Sequence, residues 1–271
     1  IVDTLVPFYE SAEVNDEIRS YGRAESVAVN VVENFEQTEA FVDGPALSRE
    51  QFEQIRAYAL AVLKQEERFD RRIADERIRD SHGDLYSANI CLGDKVYIFD
   101  CIEFNDRFRY SDVAGDIGFL AMDLDFHGHD ELAEYFVACY VERSGDRGLL
   151  DLIAFYKCYR AYVRGKINLF TAADTGLDNA TRSDCSAQAK RYFELAQRYD
   201  LVIFEDDPYG DLRFEGRHLP PIMSLDTSGR VIHMRSTSKT FAPGLRVAWT
   251  IGHPEMIRKM VVAKQFVDVA T

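Results

Sequence analysis

The pattern of apolar residues changes once along this chain, at about Asp200, and that change limits the fold more than any other feature. Before it, apolar positions recur at helical spacing. Phe52, Ile55, Ala59, Val62 and Leu63 mark one face of a helix predicted to run to about Phe69, opened by a capping-box pair, Ser48 and Gln51. A helical region is predicted from about Asp112 to Lys166, with Phe119, Leu120, Leu132, Tyr135, Phe136, Tyr140, Leu149, Leu152, Phe155 and Tyr159 as its apolar faces, and a further helix from Ala187 to about Tyr199. One hairpin interrupts this part: Ile90-Cys91-Leu92 and Val96-Tyr97-Ile98-Phe99, joined through Gly93-Asp94-Lys95. Beyond Asp200 the runs Leu201-Val202-Ile203-Phe204, Val231-Ile232-His233-Met234 and Val247-Ala248-Trp249-Thr250-Ile251 are short and nearly continuous, which predicts strands buried in an α/β sheet.

The bulk properties narrow the function classes. With 271 residues and 46% hydrophobic content the chain can bury one large core or two ordinary ones. A net charge of −14, from 46 acidic against 32 basic residues, argues against nucleic acid or an anionic bilayer as partner. No apolar run approaches the roughly 20 residues that span a membrane. The cysteines, Cys91, Cys101, Cys139, Cys158 and Cys185, are scattered and form no CxxC pair; they read as small buried hydrophobes in a reducing cytoplasm. The chain begins with Ile1 and passes Asp200 with no polar linker, so a fragment with an abrupt internal join is expected.

Ser81-His82-Gly83-Asp84-Leu85-Tyr86-Ser87-Ala88-Asn89, then the hairpin, then Asp100, carries the first chemical signal. Phosphoryl transfer needs a carboxylate to orient the attacking hydroxyl and oxygen ligands for the magnesium on the nucleotide phosphates. Asp84 fits the first role and Asn89 and Asp100 the second, with the hairpin returning the chain to one centre. His82 reads as a buttress of the loop, Glu103 as an additional carboxylate near the metal, and Asp116 as a tie between loop and helices. These residues resemble the aminoglycoside phosphotransferase and choline-kinase-like family, whose catalytic loop reads HGDxxxxN ahead of a hairpin and a metal-binding Asp. Ile102-Glu103-Phe104-Asn105, Asp112-Val113-Ala114-Gly115-Asp116 and Tyr159-Arg160-Ala161-Tyr162-Val163-Arg164-Gly165-Lys166 are similar to the kinase-like half of bacterial proteins that pair such a domain with a P-loop ATPase. The resemblance implies Mg2+ with ATP and a small-molecule hydroxyl substrate. It departs from the family in showing no β-rich N-terminal lobe, no Gly-rich loop and no strand lysine, which predicts low or no activity.

Glu205-Asp206-Asp207-Pro208-Tyr209-Gly210 and Ser236-Thr237-Ser238-Lys239-Thr240-Phe241-Ala242-Pro243-Gly244-Leu245-Arg246 carry the second signal. They combine a lysine, a carboxylate, a tyrosine, two serines and an arginine, the residue types that pyridoxal phosphate chemistry requires. In this order they resemble class I, fold-type I aminotransferases. The resemblance implies that Lys239 carries the cofactor covalently, Asp206 pairs with its pyridine nitrogen, Tyr209 bonds its ring hydroxyl, and Ser236, Ser238 and Arg246 bind its phosphate.

The expected fold class is α+β: a mostly helical kinase-like C-lobe with its catalytic hairpin over residues 1–199, then a partial α/β segment of an aminotransferase large domain over 200–271. The leading functional reading is a phosphotransferase-like protein fused to a partial aminotransferase segment and of low or no activity as it stands; the alternatives are a pyridoxal-phosphate-dependent aminotransferase fragment using Lys239 and a non-enzymatic chimeric or truncated product. An aminotransferase ancestry also allows a homo-oligomer. His127-Gly128-His129-Asp130 is expected in an exposed break before a helix. His218, His233 and His253 show no partner pattern, Glu66-Glu67 and Arg71-Arg72 read as a solvated helix end, and no GxSxG elbow is present.

Overall fold

The computed structural model describes residues 1–200, 203–210, 212, 215–217, 219–226, 230–239, 241, 244 and 247–268. The chain divides into two compact units, Ile1–Asp200 and Leu201–Thr271, and each is described by itself.

The first unit is mainly helical, with α1 (Val2–Ser11), α2 (Asp16–Ser20), α3 (Ala24–Thr38), α4 (Arg49–Leu63) and α5 (Glu66–Ala74) ahead of strand β1 (Ile78–Asp80). The hairpin β2 (Ile90–Leu92) and β3 (Val96–Ile98) follows, then α6 (Asp106–Arg109), β4 (Tyr110–Asp112), α7 (Val113–Phe126), α8 (Asp130–Ser144), α9 (Ile153–Ala173) and α10 (Asn179–Arg198). β1 pairs antiparallel with β4, and β2 with β3. The α4 capping box forms as its spacing predicts: Ser48 Oγ accepts from the Gln51 N–H and the Gln51 side chain accepts from the Ser48 N–H, at 3.2 and 3.3 Å.

Two expectations about this region are corrected. The helix expected to reach Phe69 stops at Leu63, and Gln65, with φ −93° and ψ 60°, redirects the chain into α5. The redirection turns Phe69 and Arg72 inward, both 1% exposed. Arg72 is therefore no solvated helix end: it is forked between Asp112 and Asp146, both buried, and donates to Asp112 at 2.7 and 2.9 Å. Burial lowers the affinity of this guanidinium for its proton, but the two carboxylates outweigh burial and raise its pKa above the ordinary arginine value.

The helical region expected from Asp112 is three helices, broken at the exposed His127–His129 turn and at Gly145, whose φ of 69° favours glycine. Leu132 and Tyr135, expected on an apolar face, are 50% and 67% exposed. α7 is buried along nearly its whole length, which makes it the axis of the unit. α10 begins at Asn179, eight residues before the expected start, because the Asp178 carboxylate caps the N–H groups of Ala180 and Thr181. Of the cysteines only Cys158 is the buried hydrophobe expected of all five. Cys91 and Cys101 are exposed, Cys139 and Cys185 half-buried, and none of the five is in a disulfide.

The second unit holds β5 (Ile203–Asp206), β6 (Val231–Ser236), β7 (Ala248–Ile251) and α11 (Pro254–Asp268). The sheet order is β5-β6-β7, with β5 parallel and β7 antiparallel to the central β6. The expectation of buried strands holds for β6 alone, where Val231, Ile232 and His233 are buried. Ile203, Phe204, Trp249 and Ile251 on the flanking strands are exposed, because each flanking strand has only β6 as a neighbour among the described residues. No helix among the described residues is long and apolar enough to cross a membrane.

Candidate functional site

In the first unit the loop between β1 and β2 is fixed from below by one carboxylate. Asp116, fully buried on α7, accepts from the backbone N–H of His82 at 2.9 Å, from that of Gly83 at 3.0 Å and from the Tyr9 hydroxyl at 2.9 Å. Gly83 has φ +80°, and a Cβ there would lie 2.7 Å from the Phe108 carbonyl, so the turn admits only glycine. His82 spans the loop: its Nδ1 faces the Asp84 N–H at 3.3 Å and its Nε2 the Phe99 carbonyl at 2.9 Å, contacts that suit the tautomer protonated on Nε2. A second α7 carboxylate, Asp123, accepts from the Ser87 N–H at 3.0 Å and from the Ser87 hydroxyl.

These ties present Asp84 at the loop's half-buried tip. Asn89, 4% exposed, donates its Nδ2 to the Asp84 carbonyl at 3.0 Å and to Asp84 Oδ2 at 3.3 Å. Its own carbonyl accepts from the Phe99 N–H at 3.1 Å, which holds the hairpin's end beside it. Asp100 is the next residue, exposed and in the left-handed region at φ 63°, an uncommon position for a residue other than glycine. Burial pushes the Asp84 carboxyl above the ordinary aspartate range, while the Arg160 and Arg164 guanidiniums and the Asn89 amide pull it back. The structure thus brings Asp84 and Asn89 into contact and sets the backbone preceding Asp100 against both Asn89 and His82. Glu103 lies within 3.9 Å of the Cys101 thiol. Among the described residues no three His, Cys, Asp or Glu side chains cluster as a self-sufficient metal centre.

In the second unit Asp206 closes β5 and Ser236 closes β6, at the same end of two parallel strands, where open α/β sheets bind ligands. The Asp207 N–H donates to the Met234 carbonyl at 2.9 Å, which holds the turn carrying Tyr209 against β6. Past Ser236 the chain folds back: the Ser238 N–H donates to Ser236 Oγ at 3.1 Å and the Thr237 N–H to the Val247 carbonyl at 3.0 Å. Lys239 leaves this turn exposed, with its Nζ 5.7 Å from the centre of the Tyr209 ring. Asp206, Tyr209, Ser236, Ser238 and Lys239 therefore share one strand end; Arg246 lies outside the described residues.

Glu205 and His233 were not singled out in the sequence, yet they form a part-buried polar pair in this sheet. They sit opposite each other in the β5–β6 register, and His233 Nδ1 is 2.8 Å from Glu205 Oε2. The same carboxylate accepts from the N–H groups of Ile222 and Met223, at 2.7 and 3.1 Å. Burial pushes Glu205 upward, but these donors and His233 outweigh it and leave its pKa below the ordinary glutamate value.

Residues 176–270 match the family model described as aminotransferase class I and II. Among relatives, the aromatic-amino-acid aminotransferase 1 of Thermococcus litoralis is 49% identical over 82 residues, which are 30% of this chain and 20% of that one. An uncharacterized aminotransferase of Saccharolobus solfataricus is 43% identical over 106 residues, 39% of this chain and 26% of that one. An uncharacterized protein of Mycobacterium tuberculosis is 36% identical over 177 residues, 62% of this chain and 34% of that one. The chain thus spans between a fifth and about a third of the length of these three relatives. No solved structure gives a significant match.

Proposed function

We propose that the C-terminal part of the chain is a pyridoxal-phosphate-binding segment of aminotransferase type, with Lys239 as the attachment point. The observation that carries this reading is the meeting of Lys239 with Tyr209, 5.7 Å apart, at the carboxyl ends of two parallel strands inside the stretch that matches the aminotransferase family. The donor set fits the group: an accessible amine at Lys239, a carboxylate for the pyridine nitrogen at Asp206, a phenol for the ring hydroxyl at Tyr209, and hydroxyls for phosphate at Ser236 and Ser238; Arg246, a phosphate ligand by resemblance, lies outside the described residues. The bound cofactor supplies an electron-accepting ring. The chain's own residues would hold the group through Lys239, Tyr209, Ser236 and Ser238, and Asp206 would keep its nitrogen protonated. Full transamination, the amino donor and any homo-oligomer belong to this reading as well.

The test is titration with pyridoxal phosphate followed by borohydride reduction and peptide mapping. Label on Lys239, absent from Lys239→Ala, is the expected result. Label spread over surface lysines, and unchanged in Lys239→Ala, overturns the reading.

A second reading is favoured by the clamped loop of the first unit. In it, Asp84 accepts the proton of a small-molecule hydroxyl while Asn89 and Asp100 hold Mg2+ on ATP, and the five cysteines, none in a disulfide, fit a cytoplasmic location. It rests on loop geometry and on the motif resemblance. Transfer of labelled phosphate from Mg-ATP to a panel of small alcohols and sugars, lost in Asp84→Asn, is its test.

A further inference from the structure

A cleft of about 230 Å³ opens in the first unit, walled by residues of α2, α3, the α6–β4 segment, α7 and α9. Tyr21, Phe108, Tyr110, Tyr156 and Tyr159 all line it, and Tyr21 meets Tyr110 edge-on with centroids 5.5 Å apart. Asp84, Asn89 and Asp100 do not line it, so the cleft is a separate place from the tip of the loop.

Two polar residues among these rings are short of partners. Arg160 is 9% exposed, and neither its Nε nor the buried hydroxyl of Ser111 has a hydrogen-bond partner among the described residues. Asp116, 3.9 Å from Arg160, already accepts from Tyr9, His82 and Gly83, and Asp84 acts on Arg160 only from beyond ion-pair distance. Burying a guanidinium and a hydroxyl without hydrogen bonds costs free energy that packing alone does not return. The other charges on the wall are already paired: Arg107 bonds Asn30 and Glu33, and Asp112 bonds Arg72. The charge left for a ligand is therefore that of Arg160, and it is positive.

Gly115 lines the same cleft from the first turn of α7, where glycine weakens a helix relative to alanine. Packing does not demand a glycine there. An alanine Cβ would meet the Tyr156 ring at 3.6 Å and Arg160 Nη2 at 3.9 Å, both ordinary contacts. What the missing methyl group does is leave space between that ring and the guanidinium.

We propose that this cleft binds a small aromatic carboxylic acid, its carboxylate on Arg160 and Ser111 and its ring among the tyrosines. A carboxylate offers two oxygens, one for the guanidinium and one for a hydroxyl, and a flat ring packs against aromatic walls. A phosphate would bring more negative charge than one guanidinium answers into a space lined by rings. The proposal rests on neither functional reading, and its test reads neither phosphoryl transfer nor cofactor labelling.

The experiment is titration of the full chain with benzoate, followed by calorimetry and ligand-detected NMR, with benzamide, cyclohexanecarboxylate and inorganic phosphate as comparisons. Saturable benzoate binding is expected, at least roughly tenfold tighter than that of benzamide, which keeps the shape without the charge, and of phosphate. Cyclohexanecarboxylate, which keeps the charge without the aromatic face, should bind several-fold more weakly than benzoate. Arg160→Gln should weaken benzoate at least roughly tenfold, and Ser111→Ala a few-fold. Because Arg160 also faces Asp116, Gly115→Ala supplies an independent arm. Its methyl group enters the cleft against ordinary contacts, so the unfolding temperature should hold or rise while benzoate affinity falls several-fold. A merely structural role for Gly115 would move stability and leave affinity alone. No saturable benzoate binding, equal binding of any of the three comparison compounds, or unchanged benzoate affinity in folded Arg160→Gln or Gly115→Ala overturns the proposal.

Discussion

The loop around Asp84 and the turn around Lys239 both present a reactive side chain, but they are held in opposite ways. Asp84 sits on a loop whose backbone N–H groups are bonded to two carboxylates of a buried helix, Asp116 and Asp123, and whose histidine bonds the hairpin's end. Lys239 sits on a turn fixed by its own neighbours, Ser236 and Val247, above a sheet whose flanking strands are open. The first site is positioned by tertiary structure, and the second by local hydrogen bonds and one part-buried pair, Glu205 with His233. Side chains under the first should therefore control stability steeply, and those around the second only weakly.

The largest effect is expected at Asp116. Asp116→Asn keeps the shape but sets an amide against two backbone donors and removes the charge that faces Arg160, at an expected cost of about 3 kcal/mol or more. Urea unfolding combined with hydrogen exchange at the His82 and Gly83 amides measures it. A loss below about 1 kcal/mol would break the contrast, since a surface substitution does as much. The next effect is expected at Gly165, where an alanine Cβ would lie 2.9 Å from a Phe193 ring carbon between α9 and α10. Overpacking costs roughly 1–3 kcal/mol and alanine returns about 1 kcal/mol of helix propensity, so a net loss of about 1 kcal/mol is expected in the same unfolding assay. A stabilised variant would mean that the α9–α10 seam is slack.

The elements legible in the sequence were those whose cause is local. The Ser48–Gln51 box and the β2–β3 hairpin each lie within ten residues, and the short spacing from Asp84 to Asn89 made their meeting in one loop foreseeable. What was not legible depends on residues far apart in the chain. Arg72 looked solvated because its partners lie 40 and 74 residues away. His233 looked partnerless because the parallel register alone sets it against Glu205. The continuous apolar runs after Asp200 predicted buried strands, but burial requires neighbours, and among the described residues only β6 has one on each side. The family match adds a further point: it begins at residue 176, so it takes in α10, yet α10 belongs structurally to the first unit. Its face, with Phe193 and Ala196 fully buried, is used by the helical core whatever its ancestry.

A smaller effect is expected at Glu205. Because the folded state holds this carboxyl below its ordinary value, its ionised form stabilises the sheet above the unfolded glutamate pKa of about 4.3. That stability is lost as pH falls through the lower, folded value. Hydrogen exchange at the Val231 and Ile232 amides should lose protection over that acid window in the native chain. Glu205→Gln should be weaker by about 1–2 kcal/mol near neutrality and flat through the same window. Equal acid profiles would show that the pair with His233 contributes no pH dependence to the sheet.

The smallest effect on stability is expected at Lys239, where the largest chemical effect is also expected. Its side chain is exposed and its Nζ lies 5.7 Å from the Tyr209 ring, so Lys239→Ala should change unfolding by no more than about 0.5 kcal/mol while removing the pyridoxal phosphate label. Asp84→Asn sharpens the contrast from the other side. Its carboxyl is half-buried and bonded to Asn89, so this change at a reactive group should register in the stability of its own unit, as Lys239→Ala should not. If Lys239→Ala destabilises as much as Asp84→Asn, the turn after β6 is held by more than Ser236 and Val247, and the division between a tertiary and a local site fails. If it does not, a lysine that contributes nothing to the fold but alone takes the label has its role in chemistry and not in packing.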